Sequence, residues 1–160
     1  MVVDAEMKSN AKPKGKASGT KNFQPLEDIN ITKAYKEITT DAAVGTDQDG
    51  GVYYTRISER FKELMGGDLI QERIPEAVKN RWLNTIQKAL LKFTACLNKA
   101  VSEYHSGPQF DNYMALAKQK FQSETGKPFS HELCWMEVKN LPKFCINTDD
   151  MTALMKKASR

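Results

Sequence analysis

The fold of this chain is decided by the stretch RIPEAVKNRWLNTI, residues 73–86. A helix turns about 100° per residue, so apolar and polar side chains at this spacing separate onto two faces. One face carries the apolar residues Val78, Trp82, Ile86 and Ala89. The opposite face carries Glu76, Asn80, Leu83, Asn84 and Gln87, with Lys79 on the flank. The pattern predicts a helix that packs a tryptophan inward and presents hydrogen-bonding groups to solvent.

Such a helix has the chemistry to enter the major groove of DNA, where Asn pairs with adenine and Lys or Arg with guanine. We expect phosphate contacts from Arg73, Arg81 and Lys88 beside it. The full predicted DNA-binding set is Arg73, Glu76, Lys79, Asn80, Arg81, Leu83, Asn84, Gln87 and Lys88. The alternative is an ordinary solvated face, because Lys, Asn and Arg are common on exposed helices.

Composition is compatible with a nucleic-acid partner without requiring one. The 160 residues carry a formal net charge of +4, and the pI is near 8.9. A mildly basic protein favours polyanions. No apolar run approaches the roughly 20 residues that cross a bilayer, and the N-terminus lacks the apolar block of a secretory signal. We therefore expect a soluble intracellular protein without a membrane partner.

Cysteine and histidine patterns do not favour a metal site, a cofactor or catalysis. Cys96, Cys134 and Cys145 are odd in number and widely spaced, without a CxxC pair, so we expect reduced core thiols. His105 and His131 do not belong to a recognisable serine or paired-acid catalytic signature. We expect no metal, no cofactor and no enzymatic activity.

Breaks in the pattern divide the chain. Residues 1–22 hold five lysines among small residues and are expected to be a disordered tail, serving as a nuclear-import signal, a phosphate-binding arm or a solubilising segment. Helices are expected from Pro25 to Ile38, with Leu26, Ile29 and Ala34 on the buried stripe, and from Val52 to Leu64, ended by Gly66. A third helix should run unbroken from Pro75 to about Tyr104. The expected units are a trihelical domain over 23–105, covering helices over 106–145, and a short helix or flexible tail over 146–160.

Two helices should form the cover. Gly107-Pro108 and Gly126-Lys127-Pro128 break the chain, and between them Phe110 to Phe121 predicts a fourth helix. Ser130 should then cap a short helix with His131 and Glu132 in its first turn. We expect both helices to pack on the exposed second half of the third helix.

Several segments resemble a known family. Phe23-Gln24-Pro25-Leu26-Glu27-Asp28 resembles the opening of Myb/SANT repeats, and Ala77-Val78-Lys79-Asn80-Arg81-Trp82 resembles their closing helix. Segments beginning at Tyr53, Leu91 and Gly126 are similar to plant-type and transposon-derived Myb-like proteins of the trihelix type, including those with a region associated with No Apical Meristem proteins. The resemblance covers residues 22–145.

The resemblance implies an all-α, helix-turn-helix-type bundle with a long third helix and two or three added C-terminal helices. Its core aromatics would be Phe23, Tyr35 or Tyr54, and Trp82. Lys79 and Asn80 would fall on base-contacting positions, with Asn84 nearby. Leu83 departs from the polar residue that is usual in the family, and would touch a thymine methyl or pack on the C-terminal helices.

The expected function is therefore double-stranded DNA binding in the nucleus, as a transcription regulator or a transposon-derived DNA-targeting subunit. A single module buries little DNA surface, so a dimer, or a protein partner or second DNA-binding subunit held by the C-terminal helices, is compatible with it. The alternative is a SANT-like protein-interaction module that acts as a chromatin or complex adaptor.

Overall fold

The computed structural model describes residues 22–41, 50–103 and 110–146, and every regular element within them is helical. In chain order these elements are α1 (Pro25–Thr40), α2 (Gly50–Met65), a 3₁₀ turn (Gly66–Asp68), α3 (Pro75–Arg81), a π turn (Trp82–Ile86), α4 (Gln87–Glu103), α5 (Phe110–Thr125) and α6 (Glu132–Val138). The predicted all-α class is confirmed for this part of the chain. The expected helix near the C-terminus, and all of the expected basic tail except Asn22, lie outside the described residues.

Prolines and glycines set several helix ends as expected. Pro25 and Pro75 occupy first turns, where proline leaves no orphaned N–H. Gly66, with φ 52°, follows the last residue of α2, and Gly126, with φ 79°, follows the last residue of α5. Both angles lie in the left-handed region that glycine enters without steric cost.

The third predicted helix is continuous over residues 75–103 but not uniform. We call the whole segment the long helix. At its middle the chain widens into the π turn, where the backbone N–H of Gln87 donates to the carbonyl of Trp82. This i to i+5 bond accommodates one extra residue. The buried side chains after it continue in line with those before it; they are Val78, Trp82, Ile86, Leu90, Phe93, Leu97 and Val101.

An aromatic cluster fills the space between α1 and the π turn. The ring of Tyr35 stacks on Trp82 with centroids 4.1 Å apart and planes inclined by 25°. Phe144, from the chain beyond α6, presents its edge to both rings at 6.3 Å and 6.2 Å. Tyr35 and Trp82 are therefore core aromatics, as expected. Phe23 and Tyr54 are only half-buried at the edge of this core.

A second aromatic cluster joins α4 to the C-terminal helices. Phe93 stacks face to face on Phe129, with centroids 4.1 Å apart, and meets the edge of Trp135 at 5.5 Å. The Trp135 indole N–H donates to Thr94 Oγ1 over 3.3 Å. As expected, α5 packs along α4, but α6 packs mainly against α1.

Two local expectations are wrong. Leu26 was placed on the buried stripe of α1, yet it is 43% exposed, and Glu27 and Asp28 are buried in its place. The cap of α6 is His131 rather than Ser130, and His131 makes no side-chain capping bond. The first error arises because ion pairs with Arg73 and Arg81 hold Glu27 and Asp28 in the interior.

Candidate functional site

The exposed face of the long helix is a stripe with one residue per turn. Glu76, Asn80, Asn84 and Lys88 are all exposed and follow one another at intervals of four residues. Such a series drifts around a regular α-helix, because 3.6 residues complete a turn. The π turn includes Asn84, and its i to i+5 bond places more residues in one turn than an α-helix does. The drift is therefore smaller. We call these four residues the polar stripe.

Three predicted contact residues, Lys79, Leu83 and Gln87, lie beside the polar stripe and are half-buried. Lys79 extends over α2, with its Nζ 5.7 Å from the ring centroid of Tyr54, a cation–π arrangement. Gln87 is half-buried at the start of α4. Leu83 is also half-buried and packs against the core cluster. Leu83 thus has a packing role, which is consistent with the absence of a polar side chain there.

Arg73 does not fit the role of a phosphate contact that the sequence suggested. Its side chain is fully buried, and Nε and Nη2 donate to the two carboxylate oxygens of Glu27 over 2.7 Å and 2.9 Å. Nη2 also lies 3.2 Å from the carbonyl of Asn22. The guanidinium carbon stands 3.9 Å from the ring centroid of Phe23. Arg73 therefore fixes the start of α1 to the segment before α3.

Arg81 is also occupied within the fold. Its Nε and Nη2 donate to the two carboxylate oxygens of Asp28 over 2.8 Å and 2.7 Å. His131 Nε2 lies 3.2 Å from Asp28 Oδ2, so one carboxylate joins α1, α3 and the start of α6. About a quarter of the Arg81 side chain stays exposed. Its charge is balanced by Asp28 and adds little to a positive surface.

The pKa values of both acids reflect this pairing. Burial alone would raise the pKa of Glu27, but hydrogen bonds from Arg73 and from the Gln24 N–H outweigh burial and hold it below its ordinary value. Burial opposes ionisation of Asp28 as well, and hydrogen bonds from Arg81 and His131 again lower the pKa. Both carboxylates are therefore charged at neutral pH.

A groove of about 590 Å³ runs along the long helix beside the polar stripe. One wall belongs to the long helix, and the other belongs to the end of α5 and the loop 126–131. We call it the basic groove; its lining residues are Asn84, Thr85, Lys88, Ala89, Lys92, Phe121, Thr125, Lys127, Pro128, Ser130 and His131. Asn84 and Lys88 belong to both the polar stripe and the basic groove, so the two surfaces are continuous.

The cations of the basic groove differ in their pairing. Lys92 contacts Glu124, which also accepts from Lys99. Lys88 and Lys127 are exposed, and no carboxylate of the described residues forms an ion pair with either. The unbalanced charge of the basic groove therefore resides on Lys88 and Lys127.

Sequence reasoning placed Lys88 in the site and missed Lys127. The sequence predicts a chain break at Gly126-Lys127-Pro128. In the structure, this break turns the chain back toward the long helix. The local pattern held no information on which helix the loop would meet.

The described residues hold no group of three or more His, Cys, Asp or Glu side chains arranged to bind a metal ion. Cys96 and Cys134 are buried free thiols, as expected, and Cys145 is partly exposed. None of the described helices is both long and apolar enough to span a bilayer. Comparison with protein-family models, with curated proteins and with solved structures finds no match to this chain.

Proposed function

We propose that this chain binds double-stranded DNA by inserting the polar stripe into the major groove. The observation that carries the proposal is the exposure of Asn80 and Asn84 one turn apart, on a helix whose opposite face is locked by the buried Trp82. An Asn side chain can donate to and accept from adenine at once, which gives base selectivity. Lys79 and Lys88 flank the pair and supply positive charge.

The biological setting belongs to the same proposal. The chain acts in the nucleus as a transcription regulator or as a transposon-derived DNA-targeting subunit, in keeping with the resemblance to Myb-like proteins. The structure changes the details of the contact set, because Arg73 and Arg81 are withdrawn into ion pairs with α1. The proposed DNA contacts then come from Asn80, Asn84, Lys79 and Lys88.

A second function is favoured by a specific observation. With Arg73 and Arg81 neutralised, the exposed face of the long helix carries Glu76 near its start and Leu91, 36% exposed, near its centre. Mixed charge and an exposed leucine suit a protein partner as well as a nucleic acid. A SANT-like interaction module is therefore the alternative.

Selection of bound duplexes from a random DNA pool at about 0.15 M salt distinguishes the two. The wild type should enrich a motif, and Asn80→Ala/Asn84→Ala should lose it, each lost base contact costing about 1–3 kcal/mol. The control is Asn140→Ala, which removes an exposed asparagine from the turn after α6 and should keep the motif. Lys79→Ala tests the flanking cation in the same format.

Circular dichroism of each variant should match the wild type, because the substituted side chains lie on the surface. No enrichment by the wild type, or the same weak pool from wild type and double variant, would reject DNA reading by the stripe. The SANT-like protein-interaction module would then be the better description of the function.

A further inference from the structure

We propose that the basic groove binds the sugar-phosphate backbone of one DNA strand, with Lys127 as a phosphate contact on a second structural element. The inference rests on the proposed function and extends it from the polar stripe to the loop 126–131. The occupant is one strand of the same duplex whose bases the stripe contacts.

Continuity with the polar stripe is the first argument. Asn84 and Lys88 line the basic groove while also belonging to the stripe. A helix in the major groove is bordered by phosphates on both sides, since that groove is about 12 Å wide. The end of α5 and the loop 126–131 form the other side of the basic groove. They therefore contact one phosphate backbone when the long helix enters the major groove.

The chemistry of the lining is the second argument. Lys88 and Lys127 face the groove without a carboxylate partner among the described residues, and Thr85 and Ser130 add hydroxyl groups. Phosphate oxygens accept from Lys and from Ser or Thr hydroxyls, and such contacts set register without reading sequence. The apolar Phe121, Ala89 and Pro128 also line the groove, as suits the sugar portions of a strand.

The third argument is that the loop carrying Lys127 is held in place from both ends. The backbone N–H of Lys127 donates to Thr125 Oγ1 over 3.2 Å, and that hydroxyl lies 2.7 Å from the carbonyl of Phe121. Phe129 stacks on Phe93, and His131 is held by Asp28. A wall fixed in this way loses little conformational freedom on binding.

Salt dependence is the test. Binding of the full chain to a labelled duplex, both the selected sequence and a scrambled one, is measured from about 0.05 to 0.2 M salt. Lys127→Gln should reduce the slope of log K against log salt by about one, and weaken both duplexes by the same factor. Lys143→Gln, which removes an exposed lysine outside the groove lining, is the control and should leave the slope unchanged.

The outcomes separate this inference from the proposed function. Binding by the wild type with equal slopes for Lys127→Gln and Lys143→Gln would overturn the groove inference and leave the stripe untouched. Absence of DNA binding by the wild type would overturn both. Binding of a polyglutamate peptide, lost in Lys127→Gln, together with unaltered DNA binding in that variant, would instead assign the groove to an acidic protein partner.

Discussion

The two ends of the long helix are fixed to the rest of the molecule by different physical means. The first end, α3 and the π turn, is held by two buried or half-buried arginine–carboxylate pairs and by the stack of Trp82 on Tyr35. The second end, α4, is held by apolar and aromatic packing against α5, the loop and Trp135. Directional ion pairs fix the rotation of the first end, which carries Glu76, Asn80 and Asn84 of the polar stripe. The second end is held mainly by apolar packing, and its ion pairs, from Lys92 and Lys99 to Glu124, lie at the surface.

The largest expected effect comes from replacing the buried aromatic residue at each end of the long helix, Trp82 or Phe93. Trp82→Ala and Phe93→Ala should each lower the free energy of unfolding by about 3–5 kcal/mol, because each opens a cavity in a filled core. Trp82→Phe should cost far less, since the buried Trp82 Nε1 has no hydrogen-bond partner among the described residues. Urea denaturation measures all three. A Trp82→Phe variant as unstable as Trp82→Ala would contradict this expectation.

Breaking the buried ion pair should affect the first end alone. Glu27→Gln leaves the buried guanidinium of Arg73 without its counter-charge and should lower the free energy of unfolding by about 3 kcal/mol. Glu37→Gln, which like Glu27 lies in α1, removes an exposed carboxylate that Arg60 of α2 contacts, and should change stability little. The measurement is again urea denaturation, and equal effects of the two changes would mean that Glu27 and Arg73 are solvated.

At the second end, the contribution of a single buried hydrogen bond to stability can be measured separately. Thr94→Val removes the acceptor of the Trp135 indole N–H and should lower the free energy of unfolding by about 1–2 kcal/mol. Combining it with Trp135→Phe, which removes the donor, should cost less than the sum of the two single changes. A double-mutant cycle without coupling would show that the 3.3 Å contact contributes nothing.

Acid should weaken the first end before the second. The folded pKa values of Glu27 and Asp28 lie below their ordinary values, so the unfolded chain binds more protons near pH 4 than the folded chain does. Their stabilisation is complete above an unfolded pKa of about 4 and is lost as pH falls through the lower folded pKa values.

The melting temperature should therefore fall between about pH 5 and pH 2. Glu27→Gln/Asp28→Asn should start lower and change less with pH. Glu124, whose pKa is lowered by Lys92 and Lys99, is exposed, and Glu124→Gln should leave the pH profile nearly unchanged. A profile identical in the wild type and the Glu27→Gln/Asp28→Asn variant would exclude these acids as its cause.

What the sequence predicts well is local. Pro25, Pro75 and Gly66 set helix ends through backbone sterics, and the spacing of Trp82, Ile86 and Phe93 reports the buried face directly. These features involve a residue and its near neighbours, so periodicity analysis finds them. Exposure of Glu76, Asn80 and Asn84 was predicted for the same reason, because they lie opposite the buried face. Leu83 and Gln87, predicted on that same face, are half-buried.

What the sequence predicts poorly depends on contacts between distant segments. Arg73 and Glu27 lie 46 positions apart, and Arg81 and Asp28 lie 53 apart. In isolation, an arginine near a helix predicted to bind DNA suggests a phosphate contact. Only the fold shows that carboxylates of α1 neutralise Arg73 and Arg81. Lys127 was missed for the same reason, because the position of its loop is fixed by Phe129, Phe93 and Asp28 rather than by its neighbours.

The π turn has a consequence for tolerance to insertion and deletion. Removing one residue from Trp82–Ile86 would convert the turn to ordinary α-helix and leave the residues after it in nearly the same phase relative to α3, because the π turn accommodates one extra residue. Lys88 would stay in line with Asn80, and Phe93 would keep its packing partners. A one-residue deletion elsewhere in the long helix has no such compensation and would rotate every residue after it by about 100°. The π turn is therefore the place where the long helix should tolerate a one-codon deletion.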